Sequence, residues 1–199
     1  MTERKTNSMK KITTYEIAVC GIMAALMCIL GPMSVQIGPV PISLTNLVLY
    51  FSVYVLETRG TSISYIIYLL LGTCGLPVFS GYQGGPGKLM GPTGGYLFGF
   101  ILMVLICGLS MELSKGNIFI TFAGMVIGTA IAYLFGTLWF VKQLDCSVSY
   151  ALKVCVYPFI GFDLGKIVIA IILGSAVRRA LIKANLFGKG DRDECKATG

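Results

Sequence analysis

The chain contains no histidine, a single tryptophan and few charged residues, which occupy 13% of its 199 positions. Soluble domains carry roughly 25% charged residues, so this balance argues against a soluble fold. Without histidine the chain lacks the usual general base of neutral-pH catalysis and the commonest metal ligand. Seven cysteines, at positions 20, 28, 74, 107, 146, 155 and 195, form no CxxC pair. They read as small buried apolar residues, so neither a disulfide framework nor a metal site is expected, and no cofactor is implied. A phosphate-binding loop is missing as well. The nearest segment, Gly85-Pro86-Gly87-Lys88-Leu89, lacks the GxxxxGK[ST] spacing.

Apolar sequence fills the space those residues leave, with 55% of positions hydrophobic. Six stretches approach the length of about 20 residues that a bilayer requires. They cover about residues 12–30, 43–57, 61–76, 95–113, 117–141 and 157–182. The predicted fold is an all-α membrane protein with six transmembrane helices. It forms one integral-membrane domain over residues 1–199, with short polar tails at about 1–11 and 184–199. Spans two and three are joined only by Glu57-Thr58-Arg59-Gly60, a tight helical hairpin. The first stretch is long and lacks a clear small-residue cleavage site before further spans begin, so it reads as a span rather than a cleaved leader.

Charge placement gives the orientation. With both termini cytoplasmic, that side collects Arg4, Lys5, Lys10, Lys11, Arg59, Lys115, Arg178, Arg179, Lys183, Lys189, Arg192 and Lys196. The external side holds only Lys88, Lys142 and Lys153, a strong positive-inside bias for a multi-pass protein of the cell membrane. The net charge of +7 thus mostly reports topology. Nucleic-acid binding is not expected, because the basic residues flank apolar spans without interleaved aromatics.

Asp163 and Lys166 interrupt the last apolar run. Ionisable groups at that depth cost roughly 2.5–3.5 kcal/mol each, so they persist where they meet a partner or a cavity. Their i, i+3 spacing puts both on one helix face. They lie 15 and 12 residues before Arg178, about 22 and 18 Å in a core about 30 Å thick, which places them in the outer half. Pro158, Gly161 and Gly165 allow a helix start or close backbone approach nearby. A structural ion pair is the alternative to a ligand site. Two external segments face the pair. Residues 75–96 are rich in glycine and proline, carry Gln83 and Lys88, and can turn backbone N–H groups toward a bound molecule. A flexible linker is the plainer reading. Gly38-Pro39-Val40-Pro41-Ile42-Ser43-Leu44-Thr45-Asn46 suggests either a broken helix start with inward polar groups or ordinary capping by Ser43.

Taken together these segments resemble the BioY family, the substrate-binding (S) component of biotin transporters of the energy-coupling-factor (ECF) type. The matching residues are Pro39-Val40-Pro41-Ile42 with Asn46, and Gly75-Leu76-Pro77-Val78-Phe79. Gly84-Gly85 then precedes Gly91-Pro92-Thr93-Gly94-Gly95-Tyr96, the most specific segment, and Pro158-Phe159 precedes Asp163-x-x-Lys166. The resemblance spans nearly the whole chain. It implies the six-helix S-component fold, capture of biotin from outside, and no enzymatic activity. It also implies docking on one transmembrane scaffold subunit with two ATPases, which suits a chain with no Walker sequence.

Biotin offers a ureido group, an apolar thioether ring and a carboxylate. By donor and acceptor type, Asp163 accepts from a ureido N–H, while Lys166 donates to its carbonyl or neutralises Asp163. Tyr96 and Phe79 are expected to pack on the apolar ring, with Gly85 and Gly91 among the loop positions at the ligand. The chain departs from the family at Gln83, where many members carry arginine, and at Thr45, where glutamine is frequent. Lys88 is expected to supply the missing charge, and Asn46 is a stronger contact than Thr45. On span one, Gly21-Ile22-Met23-Ala24-Ala25 places small residues at Gly21 and Ala25, a spacing that lets helices approach. It resembles the family's scaffold-contacting motif. Span five's small residues (Gly124, Gly128, Ala130, Ala132, Gly136) are assigned to internal packing. The competing function, a self-sufficient secondary transporter for biotin or another small carboxylate, calls for paired repeats that the chain does not display. A membrane enzyme is poorly served by a lone Asp and Lys.

Overall fold

The computed structural model describes residues 14–36, 40–114 and 117–184. The tail charges, Lys115, Gly38 and Pro39, on which the sequence reading drew, therefore lie outside the described residues. Three helical stretches are long and apolar enough to cross a membrane: Gly94–Ser114, Ile118–Leu144 and Val148–Lys183, with mean hydropathies of 2.1, 2.1 and 2.0. The first two are α4 and α5 in chain order. The third comprises a short α6 (Val148–Cys155) and a long α7 (Tyr157–Lys183). A shorter apolar helix, α1 (Thr14–Leu30), opens the described chain.

Helix α2 runs from Thr45 to Thr73 and corresponds to spans two and three. It is two helical segments joined at a kink, where Glu57 has φ 58° and ψ −173°, far from helical values. The chain reverses there. Thr45 and Tyr68 border one cavity, whereas a straight helix at 1.5 Å per residue would hold them about 34 Å apart. The expected hairpin thus turns on one strained residue rather than on a four-residue loop.

Between α1 and α2 the expected broken helix start is replaced by an antiparallel hairpin of β1 (Ser34–Gln36) and β2 (Pro41–Ser43). Its register pairs Ser34 with Ser43, Val35 with Ile42 and Gln36 with Pro41. The β-branched pair at its centre suits a strand, and Pro41 sits at the end of the ladder where a missing N–H costs least. The fold is therefore mostly helical rather than all-α. A second correction is α6, whose N-terminus is capped by Ser147 accepting from the Tyr150 N–H. Its mixed composition hid it in sequence. The Gly-rich loop likewise contains a short helix, α3 (Pro86–Met90).

Small residues set the packing of α4 on α5. A Cβ on Gly128 would meet Cys107, one on Gly136 the ring of Tyr96, and one on Gly99 the backbone of Ala132. Span five's small residues thus serve internal packing as expected, except that Ala130 is exposed. Gly161 and Gly165 are also exposed and a Cβ on either would meet nothing, so they bring no backbone close to the bundle. The main core gathers Met27, Leu49, Tyr65, Tyr68, Phe79 and Met103 from α1, α2, α4 and the loop. One end of the bundle is closed by Val19, Val55 and Leu56 with Val177 and Leu181. The opposite end joins Val40 and Ile42 to Phe140, Ala151 and Phe159.

Candidate functional site

Asp163 and Lys166 project from α7 toward the start of α2 and are 5% and 8% exposed. Every ammonium donor of Lys166 is engaged. Its Nζ donates to Asp163 Oδ1 at 2.9 Å, to Asn46 Oδ1 at 3.0 Å and to the Ser43 carbonyl at 2.7 Å. Asn46 Nδ2 closes the triangle by donating to Asp163 Oδ1 at 2.8 Å. On the other carboxylate oxygen, Tyr133 of α5 donates to Oδ2 at 2.5 Å.

This arrangement follows from the local sequence. The Ser43 hydroxyl accepts from the Thr45 N–H at 3.0 Å and so starts α2. Helix geometry then turns Asn46 inward one residue later, while the Ser43 carbonyl stays free to receive Lys166. The pair is thus neutralised in charge and nearly satisfied in hydrogen bonds, which a buried ion pair needs to offset its desolvation. A carboxylate offers about four lone-pair positions, of which three are occupied here. One position on Oδ2 stays available.

Above the network lies a crevice with about 70 Å³ of open volume. Its walls include Asn46, Tyr68, Tyr96, Phe100, Tyr133 and Phe159, with Ser80, Lys88 and Thr93 contributed by the loop. Small-molecule sites typically measure about 300–1,000 Å³, so the loop closes this one down. Burial pushes the Lys88 ammonium below the ordinary lysine range. The Tyr96 hydroxyl donates to the Cys155 carbonyl at 3.2 Å, which turns the ring into the wall.

The structure brings Thr45, Asn46, Lys88, Tyr96, Asp163 and Lys166 to the crevice. It puts four other predicted residues elsewhere. Phe79 is fully buried in the core, edge-on to Tyr68 and against Gly72, where a Cβ would strike its ring. It anchors the loop instead of lining the crevice. Gln83 is exposed, and its backbone pairs with Phe79. Gly85 adopts φ 89°, a value that suits glycine, and its N–H donates to the Gly72 carbonyl at 2.7 Å. Gly91 accepts from Trp139 Nε1 at 3.0 Å. These three shape the loop.

Sequence reasoning missed several crevice residues, among them Tyr68, Phe100 and Phe159 of the wall and, on α5, Thr129 and Tyr133. The signal for the α5 pair was a polar stripe at helical spacing, Thr129, Tyr133 and Thr137, within an apolar helix. Thr129 lies within hydrogen-bond reach of the Tyr50 hydroxyl, 2.5 Å away, beneath the network. Gly21 and Ala25, expected from the sequence to contact a scaffold subunit, lie on the exposed face of α1, and nothing would meet a Cβ on Gly21.

The fold defines the class. It matches the crystal structure of the S-component for biotin from an ECF-type ABC transporter with a TM-score of 0.76 and 25% identity. The match covers 82% of this chain and 90% of that one. A family model described as the BioY family matches residues 4–183, and the chain belongs to that family. Biotin transporter BioY2 of Lactococcus lactis subsp. cremoris is 33% identical over 181 residues, covering 90% of this chain and 98% of its own. Biotin transporter BioY of Thermotoga maritima is 37% identical over 160 residues, covering 80% and 93%. The chain is a membrane protein of a transporter family, not an enzyme.

Proposed function

We propose that this chain is the biotin-binding subunit of an ECF-type uptake transporter, working with a transmembrane scaffold subunit and two ATPases. The observation that carries the reading is the buried carboxylate of Asp163, held by three side chains from α2, α5 and α7 with one acceptor position left open. A ureido N–H is a donor of the right kind for that position. Lys166 already has three protein partners, so its role is to neutralise and orient Asp163 rather than to meet the ureido carbonyl. Tyr96, Phe100 and Phe159 supply apolar wall for the thioether ring. Lys88 is the cation for the carboxylate tail.

Six crossings with both termini cytoplasmic fit the bundle. Thr58 beside the α2 break donates to Glu112 near the end of α4, and Gly174 of α7 packs on Tyr54, so Arg59 and Arg178 share one end. Lys88 belongs to the opposite end, where Gln143 donates to the Met90 carbonyl. Biotin entry requires the loop to lift, since the crevice as it stands is too small for a ligand. Closure then hides the ligand's polar groups, and the ordering of the loop offsets part of the gain. ATP-driven reorientation against the scaffold delivers the vitamin inward.

Equilibrium binding of biotin to the detergent-purified chain, beside Asp163→Ala, tests the reading. Tight binding by the wild type and its loss in a folded variant are expected. A folded wild type that does not bind biotin would overturn the assignment.

A further inference from the structure

The loop over the crevice is held in two different ways along its length. Residues 75–85 are fastened to the bundle. The buried Phe79 ring fills the hollow left by Gly72, and the Gly85 N–H donates to the Gly72 carbonyl at 2.7 Å. The Tyr68 hydroxyl donates to the Val78 carbonyl at 3.1 Å, and the Gly81 N–H to the Pro32 carbonyl at 3.2 Å. Residues 86–91 are held lightly by comparison. They contain α3, none of whose residues is buried, and Leu89 reaches the core only in part. Among the described residues, the side chains that hydrogen-bond this segment to the bundle both come from α5. Trp139 Nε1 donates to the Gly91 carbonyl and Gln143 Nε2 to the Met90 carbonyl, each at 3.0 Å.

We propose that residues 86–91 are the moving flap of the crevice, and that Trp139 and Gln143 are positioning residues that latch it shut. The two donors sit four residues apart, on one face of α5. The Trp139 ring lies 6.0 Å from that of Phe98, and a Cβ on Gly95 would strike Trp139, so the donor side of the latch is fixed. The acceptor side yields more easily. Water can replace a hydrogen bond made by an exposed group such as Gln143, whereas lifting residues 75–85 would pull Phe79 from the core. Gly85, with φ 89° and open space around its Cα, marks the boundary between the two parts. Lys88 rides on the flap and Ser80 on the fixed part, and both line the crevice. Opening therefore withdraws the cation and widens the mouth in one movement. Trp139 and Gln143 do not line the crevice, so they act on a ligand only through the flap.

What the flap admits rests on the biotin reading, but its motion does not, and the test separates the two. Amide hydrogen exchange is followed in the empty, detergent-purified full chain, in the wild type, Gln143→Leu and Trp139→Phe. The Lys88 N–H bonds the Gly85 carbonyl and the Gly94 N–H bonds the Gly91 carbonyl, one at each end of the flap. Both should exchange roughly 2- to 10-fold faster for each latch bond lost. The bonded amides of Phe79 and Gly85 should stay slow, and the unfolding temperature should not move. With tritiated biotin, association and dissociation should both quicken, so that affinity changes less than either rate. If Trp139→Phe does not fold, Gln143→Leu carries the test, since its exposed side chain packs no core. Unchanged exchange at Lys88 and Gly94 would overturn the proposal. So would equal acceleration at Phe79 and Gly85, which would make the loop one moving body. Faster dissociation with unchanged association would also overturn it, because the pair would then support the bound state without latching the empty one. A folded wild type that fails to bind biotin would remove the assigned ligand, while exchange in the empty chain would still decide the flap.

Discussion

Replacing Lys166 with methionine separates a ligand site from a structural ion pair. The substitution keeps the length of the side chain and removes the cation. Asp163 then retains only Asn46 and Tyr133 as partners, and the Ser43 carbonyl loses its donor. Leaving one member of a buried pair uncompensated costs about 3–5 kcal/mol of stability. The double variant Asp163→Asn with Lys166→Met removes both charges while Asn46 and Tyr133 keep polar groups to meet. Neutral replacement of a buried pair is often close to cost-free, so the double variant should regain most of the lost stability. Biotin binding should behave differently. Losing the aligned carboxylate costs about 2–5 kcal/mol, or roughly 30- to 4,000-fold in affinity, and the double variant has no carboxylate to restore it. Thermal unfolding in detergent and isothermal titration with biotin give the two readouts. Recovery of both stability and affinity in the double variant would refute the ligand role. Unchanged stability in Lys166→Met would refute the account of a charge pair buried at a cost.

Tyr133→Phe removes one hydrogen bond to a charged acceptor, worth about 1.5–3 kcal/mol, and is expected to weaken biotin roughly 10- to 150-fold by titration. Lys88→Ala should weaken biotin but not its carboxyl amide, and equal losses for both ligands would remove Lys88 from the carboxylate's recognition. Burial already lowers the Lys88 pKa, and a bound carboxylate raises it again, so binding takes up a proton. Affinity should therefore fall as pH rises through the free-state value and level off above the bound-state value, a trend that Lys88→Arg flattens. Gly21→Trp adds bulk where nothing stands within 4 Å, so it should abolish copurification with the scaffold subunit and leave biotin titration unchanged. Glu57→Gly should raise the unfolding temperature, because the left-handed conformation at the α2 break costs a non-glycine residue about 1–3 kcal/mol.

What could be read from the sequence divides along a physical line. Asp163 and Lys166 were legible because a charge in an apolar run has few ways to survive, and Asn46 was legible because an amide at a helix start faces inward or caps. Tyr133 and Thr129 were not singled out, since a hydroxyl in a span commonly bonds its own helix, as Thr129 also does to the Met125 carbonyl at 2.7 Å. Only the three-dimensional approach of α5 to α7 gives Tyr133 its carboxylate. The loop misled for the opposite reason. Its glycines and Phe79 look like a ligand cradle, but Gly72 on a different element leaves the hollow that Phe79 fills. That contact spans no local period and cannot be counted along the chain. The short β-hairpin escaped for want of length, as three-residue strands carry almost no alternation. Yet it is this hairpin, ending at Ser43, that delivers the carbonyl Lys166 needs. The parts hardest to read in sequence are thus the ones that hold the legible pair in place, because an ion pair announces its presence through composition and its partners only through topology.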